Sequence, residues 1–474
     1  MSQIAQDTQI DVSELFQKLK KSQSKYKRTT IEERINTLRK LQMAIVSHKD
    51  EVLDALFADF GKPHYESLTS EILSPLNEIE DACKNLSEWA KSTEVSPQVF
   101  KDAKTEIIYE PKGTVLIIGP WNFPFYLSIS PLIPAIAAGN NVVLKPSEIT
   151  PHVSAVIKKI IEATFEDDYV TVVEGSVSIT TELLKLAFDH IFFTGSPKVG
   201  KIVMEAAAKN LTSVTLELGG KSPTIVDETA DLDKAVVRII RGKAINAGQI
   251  CLAPDYLLIP KELQDAFIEK TESFMKEWFF KDGKWDYTDL SQIVNEANFH
   301  RLKGLFDDAV AKGATVAYGG IFNETLRKIH PTILTNVPLD AKIMQEEIFG
   351  PLLPVFNYEN LEDVIAFVNQ FDKPLAYYVF SQNQENIDFL IKNSTSGGVT
   401  TNDIMLHCAE ISLPFGGVNT SGIGKYHGVF GFLELSNARG ILYQPFESEA
   451  LVLDPPPYTG KVEAVTKAFF SQPE

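Results

Sequence analysis

Ser213-Val214-Thr215-Leu216-Glu217-Leu218-Gly219-Gly220-Lys221 is the stretch that decides the fold. Val214, Leu216 and Leu218 alternate with Thr215 and Glu217, so the segment reads as a strand with one apolar face and with Glu217 turned away from it. The glycine pair ends the strand, and Pro223–Val226 makes a short second one. Asp231 stands where an N-cap belongs, ahead of the helical period of Val236, Ile239, Ile240 and Ala244. Gly248 is expected to break that helix and leave Cys251 on a loop before the next strand, 256–259. A carboxylate and a thiol thus flank one strand-helix unit, as a base and a nucleophile would. Singly, a cysteine is more often a small buried hydrophobe and a strand glutamate a solvated edge residue.

Upstream, strands at 115–118, 141–144, 169–173 and 190–194 are separated by helical stretches around Ile133, Ile157, Leu183 and Val203. Apolar strands alternating with helices predict a parallel sheet covered on both faces. Their carboxyl ends carry Gly119-Pro120-Trp121-Asn122, Lys145-Pro146-Ser147-Glu148, Gly175, Thr194-Gly195-Ser196 and Glu217. Open parallel sheets bind ligands on that rim. The turn Phe193 to Gly200 opens a helix whose free N–H groups suit a pyrophosphate. The G-x-G-x-x-G string is absent, and two glycines in such a turn are a weak signal by themselves.

Downstream, a second α/β region holds strand 256–259, helices near Phe267 and Leu305, strand 352–356, and further alternation through Val364, Tyr378, Ile387 and Val399. Residues 12–94 read as a helical lead-in, with Leu38, Leu41 and Ile45 and then Ile72, Leu76 and Ile79 at helical spacing. Segments 104–109 and 438–443 are strands without a neighbour in sequence, expected to pair across a subunit interface.

Composition narrows the class. A chain of 474 residues predicts more than one domain. With 44% hydrophobic and 23% charged residues it reads as a soluble globular protein. A net charge of −18 without a basic cluster speaks against nucleic acid and anionic lipid as partners. Cys83, Cys251 and Cys408 are few and far apart, which suits reduced thiols in a cytoplasm. Asp7, Asp11 and Glu14 occupy what would be the apolar core of a signal peptide. Prolines 120, 124, 131 and 134 and Asn122 rule against a membrane span through the apolar 115–139 stretch, and 462–470 is too short for an anchor.

Long strings then point one way. Glu217-Leu218-Gly219-Gly220-Lys221, Gly248-Gln249-Ile250-Cys251, Gln345-Glu346-Glu347-Ile348-Phe349-Gly350-Pro351, Pro414-Phe415-Gly416-Gly417 and Ser421-Gly422-Ile423-Gly424 occur in the order used by the aldehyde dehydrogenase superfamily. The chain resembles that superfamily over nearly its whole length, and Tyr426-His427-Gly428 is the wording of its class 3, fatty and aromatic aldehyde branch. The resemblance implies a Rossmann-like dinucleotide-binding domain (1–92 and 112–218) and a second α/β catalytic domain (219–418). It also implies a bridging and oligomerisation element (93–111 and 419–446) and a C-terminal tail (447–474).

In that resemblance Cys251 is the nucleophile, Glu217 the base that activates the deacylating water, and Asn122 with the Cys251 N–H the oxyanion hole. Gly195, Ser196 and Val199 fall on pyrophosphate positions, and Lys145 and Glu148 on the adenosine ribose. Glu347 falls on the nicotinamide ribose, with Phe349 beside the ring. Trp121, Thr194, Gly200 and Leu218 border the same cofactor site. Phe125, Tyr126, Met405 and Leu406 are the expected apolar lining for a medium- or long-chain or aromatic aldehyde, while Glu346 and His427 are read as structural. NAD is the expected cofactor, with NADP open, and a homodimer the expected assembly. No metal motif and no histidine adjoins Cys251, so nothing in the sequence shows what lowers its pKa. A CoA-acylating enzyme, a cofactor-free cysteine hydrolase and a non-catalytic nucleotide binder are the alternatives.

Overall fold

The computed structural model describes residues 11–448 and 456–470. Asp7, Pro455 and the tail residues 449–454 and 471–474 lie outside the described residues. The lead-in forms helices Val12–Lys27, Ile31–Ser47, Lys49–Phe60 and Leu73–Trp89. Thr30 and Glu33 close a capping box on the second of these, so its first turn leaves few orphan N–H groups. The helical reading to residue 94 overruns, because Thr93–Val95 is drawn into a strand pair with Lys104–Pro111.

Five strands, Thr114–Ile118 (β1), Asn141–Lys145 (β2), Val170–Val172 (β3), His190–Gly195 (β4) and Ser213–Leu218 (β5), run parallel in the order β3-β2-β1-β4-β5. The strand order reverses between β1 and β4, and a crevice opens beyond the carboxyl ends at such a switch point. Trp121 and Asn122 follow β1; Gly195 and Ser196 stand at the end of β4. Leu116, Ile118, Val143, Ile191, Phe193, Leu216 and Leu218 share one face, packed with Phe16, Leu19, Leu183 and Val203. By the two-residue period of a strand, Thr215 and Glu217 belong to the opposite face.

The second sheet comprises Pro223–Val226 (β6), Tyr256–Pro260 (β7), Thr315–Tyr318 (β8), Thr332–Thr335 (β9), Leu352–Tyr358 (β10), Ala376–Phe380 (β11) and Gly398–Thr401 (β12). Its order is β8-β9-β10-β7-β6-β11-β12, parallel except at β8-β9. Its core joins Ile225, Tyr256, Leu258, Leu352, Tyr377 and Val379 to Phe299, Leu302, Val364 and Leu390 of the covering helices. The short strand Gly422–Ile423 (β13) returns to pair antiparallel with β5, Gly422 opposite Glu217. That return covers what would have been an edge, and Glu217 is only 4% exposed, so the solvated-edge reading fails.

Both sheets lie in one compact unit, Met1–Ala90 with Glu110–Asn437. Lys91–Tyr109 and Ala438–Glu474 form a second unit. There the strands at 104–109 and 438–443 are neighbours within the chain. Ser436–Tyr443 lies beside Lys104–Pro111 in a three-stranded sheet, and the Tyr443 hydroxyl donates to Glu106 at 2.7 Å. Among the described residues no helix is long and apolar enough to cross a membrane.

Candidate active site

The helix after β6 is Leu232–Ala244, and its Asp231 N-cap accepts from the Lys234 N–H as its sequence position predicts. It ends four residues ahead of Gly248, which is therefore not its breaker. Asn246 and Ala247 adopt φ of 50° and 51° and turn the chain sharply. Gly248 (φ 70°) serves a close approach of two backbones: a Cβ there would fall 2.5 Å from the Gly350 carbonyl oxygen. Gln249 then pins the loop. Its buried amide donates to the carbonyls of Asn246 (2.9 Å) and Gln292 (3.0 Å) and accepts from the Val294 N–H (3.0 Å). Cys251 follows as a free, half-buried thiol.

Asn122 is buried beside this loop. Its side-chain amide donates to the Gln249 carbonyl at 3.1 Å, while Asn246 donates to the Asn122 carbonyl (2.9 Å) and to Gln249 (3.1 Å). An amide carries two N–H bonds, so one donor of Asn122 remains for a ligand oxygen. Burial pushes the Cys251 thiol pKa well up; Glu347, Cys408 and Glu217 push the same way, and its own backbone N–H pulls against them. The group is thus a thiol at rest that calls for a base.

Glu217 is a buried carboxylate close enough to act on that thiol electrostatically. Neither carboxylate oxygen has a hydrogen-bond partner, and burial raises its pKa well above the ordinary value, against the pull of Lys425 and with help from Glu434. A Cβ on Gly416 would lie 2.7 Å from Glu217 Oε1, so the glycine is what gives the carboxylate room. Sequence reasoning missed Lys425 and Glu434. Lys425 sits between two of the quoted strings, and nothing local marks Glu434, which accepts from the Thr215 hydroxyl at 2.6 Å.

The expected cofactor residues line the rim of the first sheet. Ser196 caps helix Pro197–Ala208 and Val199 is 41% exposed at its first turn, leaving that N-terminus open to an anion. Gly195 is crowded by the Phe193 ring, which a Cβ at that position would meet at 2.5 Å, and Thr194 precedes it, half-buried. At Gly200 a Cβ would strike Leu218 at 2.8 Å, so the helix packs directly on the end of β5. Lys145, buried, donates to Glu148 at 3.1 Å and to the Pro146 carbonyl at 2.7 Å.

Glu347 lies over Gly219, where a Cβ would collide with its carboxylate, and its Oε1 has no partner. Burial first, then Asp255, push its pKa up to about 8. Phe349, at φ 50°, meets Trp121 edge to face at 5.3 Å. An open helix N-terminus, an ion pair on the second strand and an orphaned buried carboxylate oxygen suit a dinucleotide's phosphates and ribose hydroxyls. Glu346 is exposed and pairs with Arg301 at 3.1 Å.

The expected substrate lining is less uniform. Phe125 is wholly enclosed, whereas Met405 is half-buried and Leu406 is 50% exposed. Tyr126 is held by its hydroxyl, which donates to Glu78 at 2.8 Å and lies 3.3 Å from His427 Nε2. His427 is buried, stacked on Phe415, and its pKa is pushed down to about 3 by burial, as suits a packed neutral ring. Among the described residues no cluster of three His, Cys, Asp or Glu side chains could hold a metal ion.

This geometry has counterparts. The model of the aldehyde dehydrogenase family matches residues 1–441. The 4,4'-diaponeurosporen-aldehyde dehydrogenase of Staphylococcus aureus is 44% identical over 434 residues, covering 91% of this chain and 93% of that protein. The canine dimeric NADP-preferring aldehyde dehydrogenase is 43% identical over 454 residues, 95% and 99%. A substrate-bound structure of Staphylococcus aureus AldH superposes with a TM-score of 0.91 at 42% identity, over 97% of this chain and 99% of that one. A doubly covered parallel sheet, a thiol on the loop beyond it and a buried carboxylate at its rim therefore go with full-length kinship, and the chain belongs to the aldehyde dehydrogenase family, as an oxidoreductase of the aldehyde group.

Proposed function

We propose that the chain oxidises aldehydes to carboxylic acids through a covalent adduct on Cys251, with Glu217 as base and Asn122 as oxyanion donor. The observation that carries this is a buried carboxylate with two unpartnered oxygens, on the strand whose continuation leads to a free thiol. An aldehyde yields hydride only after a nucleophile has added to it, and a thiolate is the best side-chain nucleophile. Glu217, made more basic by burial, takes the Cys251 proton, and the sulfur adds to the carbonyl carbon. The oxygen gains the electron pair of the broken π bond, and the free N–H of Asn122 and the N–H of Cys251 supply donors for that charge.

A bound nicotinamide dinucleotide supplies the acceptor for the hydride leaving that carbon. Cys251 is left carrying the acyl group as a thioester. Glu217, having passed the thiol proton to solvent, then takes a proton from water; the hydroxide adds, the C–S bond breaks, and the acid departs while that proton returns to the Cys251 sulfur. Gly195, Ser196 and Val199 hold the pyrophosphate, Lys145 and Glu148 the adenosine ribose, and Glu347 the other ribose. Phe349 and Trp121 border the ring; Thr194, Gly200 and Leu218 shape the floor. Glu148 favours NAD, since a carboxylate bonds a free 2′-hydroxyl and repels a 2′-phosphate, although one relative is named as NADP-preferring.

Phe125, Tyr126, Met405 and Leu406 favour medium- or long-chain or aromatic aldehydes. The domains at 1–92 with 112–218, 219–418, 93–111 with 419–446, and 447–474, a homodimer and a cytoplasmic setting belong to the same proposal. The relative named as dimeric supports the homodimer, and the free thiols support the cytoplasmic setting. The test is product analysis with an aldehyde panel, each dinucleotide, and CoA present or absent. Free acid as the product in both cases supports the hydrolytic route; acyl-CoA as the main product would replace it.

A further inference from the structure

Between the third and fourth lead-in helices the chain makes an irregular turn that the chemistry above does not use. Gly61, in the left-handed region at φ 60°, ends helix Lys49–Phe60; a single turn His64–Ser67 follows, and Leu68–Ile72 is a π-helical turn. Three charged residues of this stretch point into the protein. Lys62 and Glu71 are 0% exposed and paired at 2.7 Å, with the Lys62 ammonium 3.9 Å above the Phe123 ring. The second Glu71 oxygen accepts the backbone N–H groups of Phe125 (3.0 Å) and Tyr126 (3.1 Å), three and four residues after Asn122. Glu66 accepts the backbone N–H of Asn246 at 2.9 Å, and burial lifts its pKa to about 7.

These bonds end on the two loops that meet at the reacting thiol. Asn246 is the residue whose side chain ties the Asn122 carbonyl to the Gln249 carbonyl, two residues before Cys251. Five residues apart on an α-helix, Glu66 and Glu71 would lie about 140° apart around the axis. A π turn closes i to i+5 and brings such positions back together. The irregularity therefore has a use.

We propose that Glu71, with Lys62 behind it, and Glu66 are positioning residues that set the Asn122 amide relative to Cys251 by gripping the two loops from one helical turn. This rests on the oxyanion role proposed for Asn122, and the test separates the two. In Glu71→Gln, amide hydrogen exchange at Phe125 and Tyr126 reads the grip directly, whatever Asn122 does. Turnover in a cycle with Asn122→Ala reads the purpose of the grip.

Misplacing a catalytic group by about 1 Å costs on the order of a hundredfold. We expect faster exchange at Phe125 and Tyr126, and kcat lower by about tenfold or more, with the KM for the dinucleotide within about twofold. In the Asn122→Ala background the loss should shrink to less than about twofold. Unchanged exchange overturns the grip. Faster exchange with an undiminished loss of kcat in the Asn122→Ala background overturns its purpose. Should Glu71→Gln strand the Lys62 charge and fail to fold, Lys62→Met/Glu71→Gln removes both charges and enters the same cycle. If that pair also fails to fold, the residues are structural and the proposal falls.

Discussion

Glu217 and Lys425 border the same small space: a Cβ on Gly416 would lie 2.7 Å from Glu217 Oε1 and 3.1 Å from Lys425 Cδ. Lys425 favours the ionised carboxylate, while burial, foremost, and Glu434 oppose it. With Glu217 as the proposed base, only its ionised form accepts a proton from water, so deacylation should rise with pH through the Glu217 pKa. Removing the cation in Lys425→Met should move that rise to higher pH. Removing the anion in Glu434→Gln should move it to lower pH. Single-turnover release of carboxylate against pH is the measurement, and a shift of the two variants in the same direction would contradict the assignment.

Glu217→Gln keeps the shape and loses the proton acceptor. If deacylation needs Glu217 most, the variant gives a burst of reduced dinucleotide approaching one equivalent per site, then a slow steady state, with acylated Cys251 visible by intact mass. Loss of the burst as well would mean that no other group can take the Cys251 proton in place of Glu217, which the raised thiol pKa makes a real demand.

If Asn122 is the oxyanion donor proposed above, Asn122→Ala removes a bond that matters once the substrate oxygen is charged. The expected fall in kcat is about 10²- to 10³-fold with a small change in substrate KM. Steady-state kinetics decide; an effect confined to KM would remove Asn122 from the oxyanion hole.

Glu148 is the partner of buried Lys145 at 3.1 Å. If the pair faces the adenosine ribose as proposed, Glu148→Gln takes away a charge that repels a 2′-phosphate and leaves Lys145 to attract it. The ratio of kcat/KM for NADP over NAD should rise, and an unchanged ratio would place cofactor choice elsewhere.

Lys221 closes the Gly219-Gly220-Lys221 string, and its ammonium, paired with Asp255, donates to the carbonyls of Ile343 (2.8 Å) and Glu346 (3.1 Å). Asp255 in turn accepts the Ile348 N–H at 2.8 Å, so the pair anchors the turn that carries Glu347. Lys221→Met strands a buried carboxylate and should cost about 3–5 kcal/mol of stability. Lys221→Met/Asp255→Asn should recover part of it, as read from unfolding midpoints.

Much of this molecule was determined by sequence alone. Strand β5 and the Asp231 cap follow from local rules, a period of two and a polar residue ahead of a helical run, which depend only on neighbours a few positions away. The order of strands and helices is likewise local, and with it came the rim on which Asn122, Gly195, Ser196 and Glu217 stand. Tertiary structure alone decided the rest, because it turns on partners distant in the chain. Glu217 is buried since Gly422–Ile423 returns some two hundred positions later to cover β5, and no alternation within 213–218 encodes that return. The helix before Cys251 stops at Ala244, where the Asn246 N–H finds Glu66 and the backbone turns to φ 50°. Glu66 and Glu71 would lie on different sides of a regular helix, and it is the π turn that lets both reach into the protein. The burial that raises the Glu217 and Cys251 pKa values exists only once both loops have closed, since desolvation is a property of the packed chain and not of any residue in it.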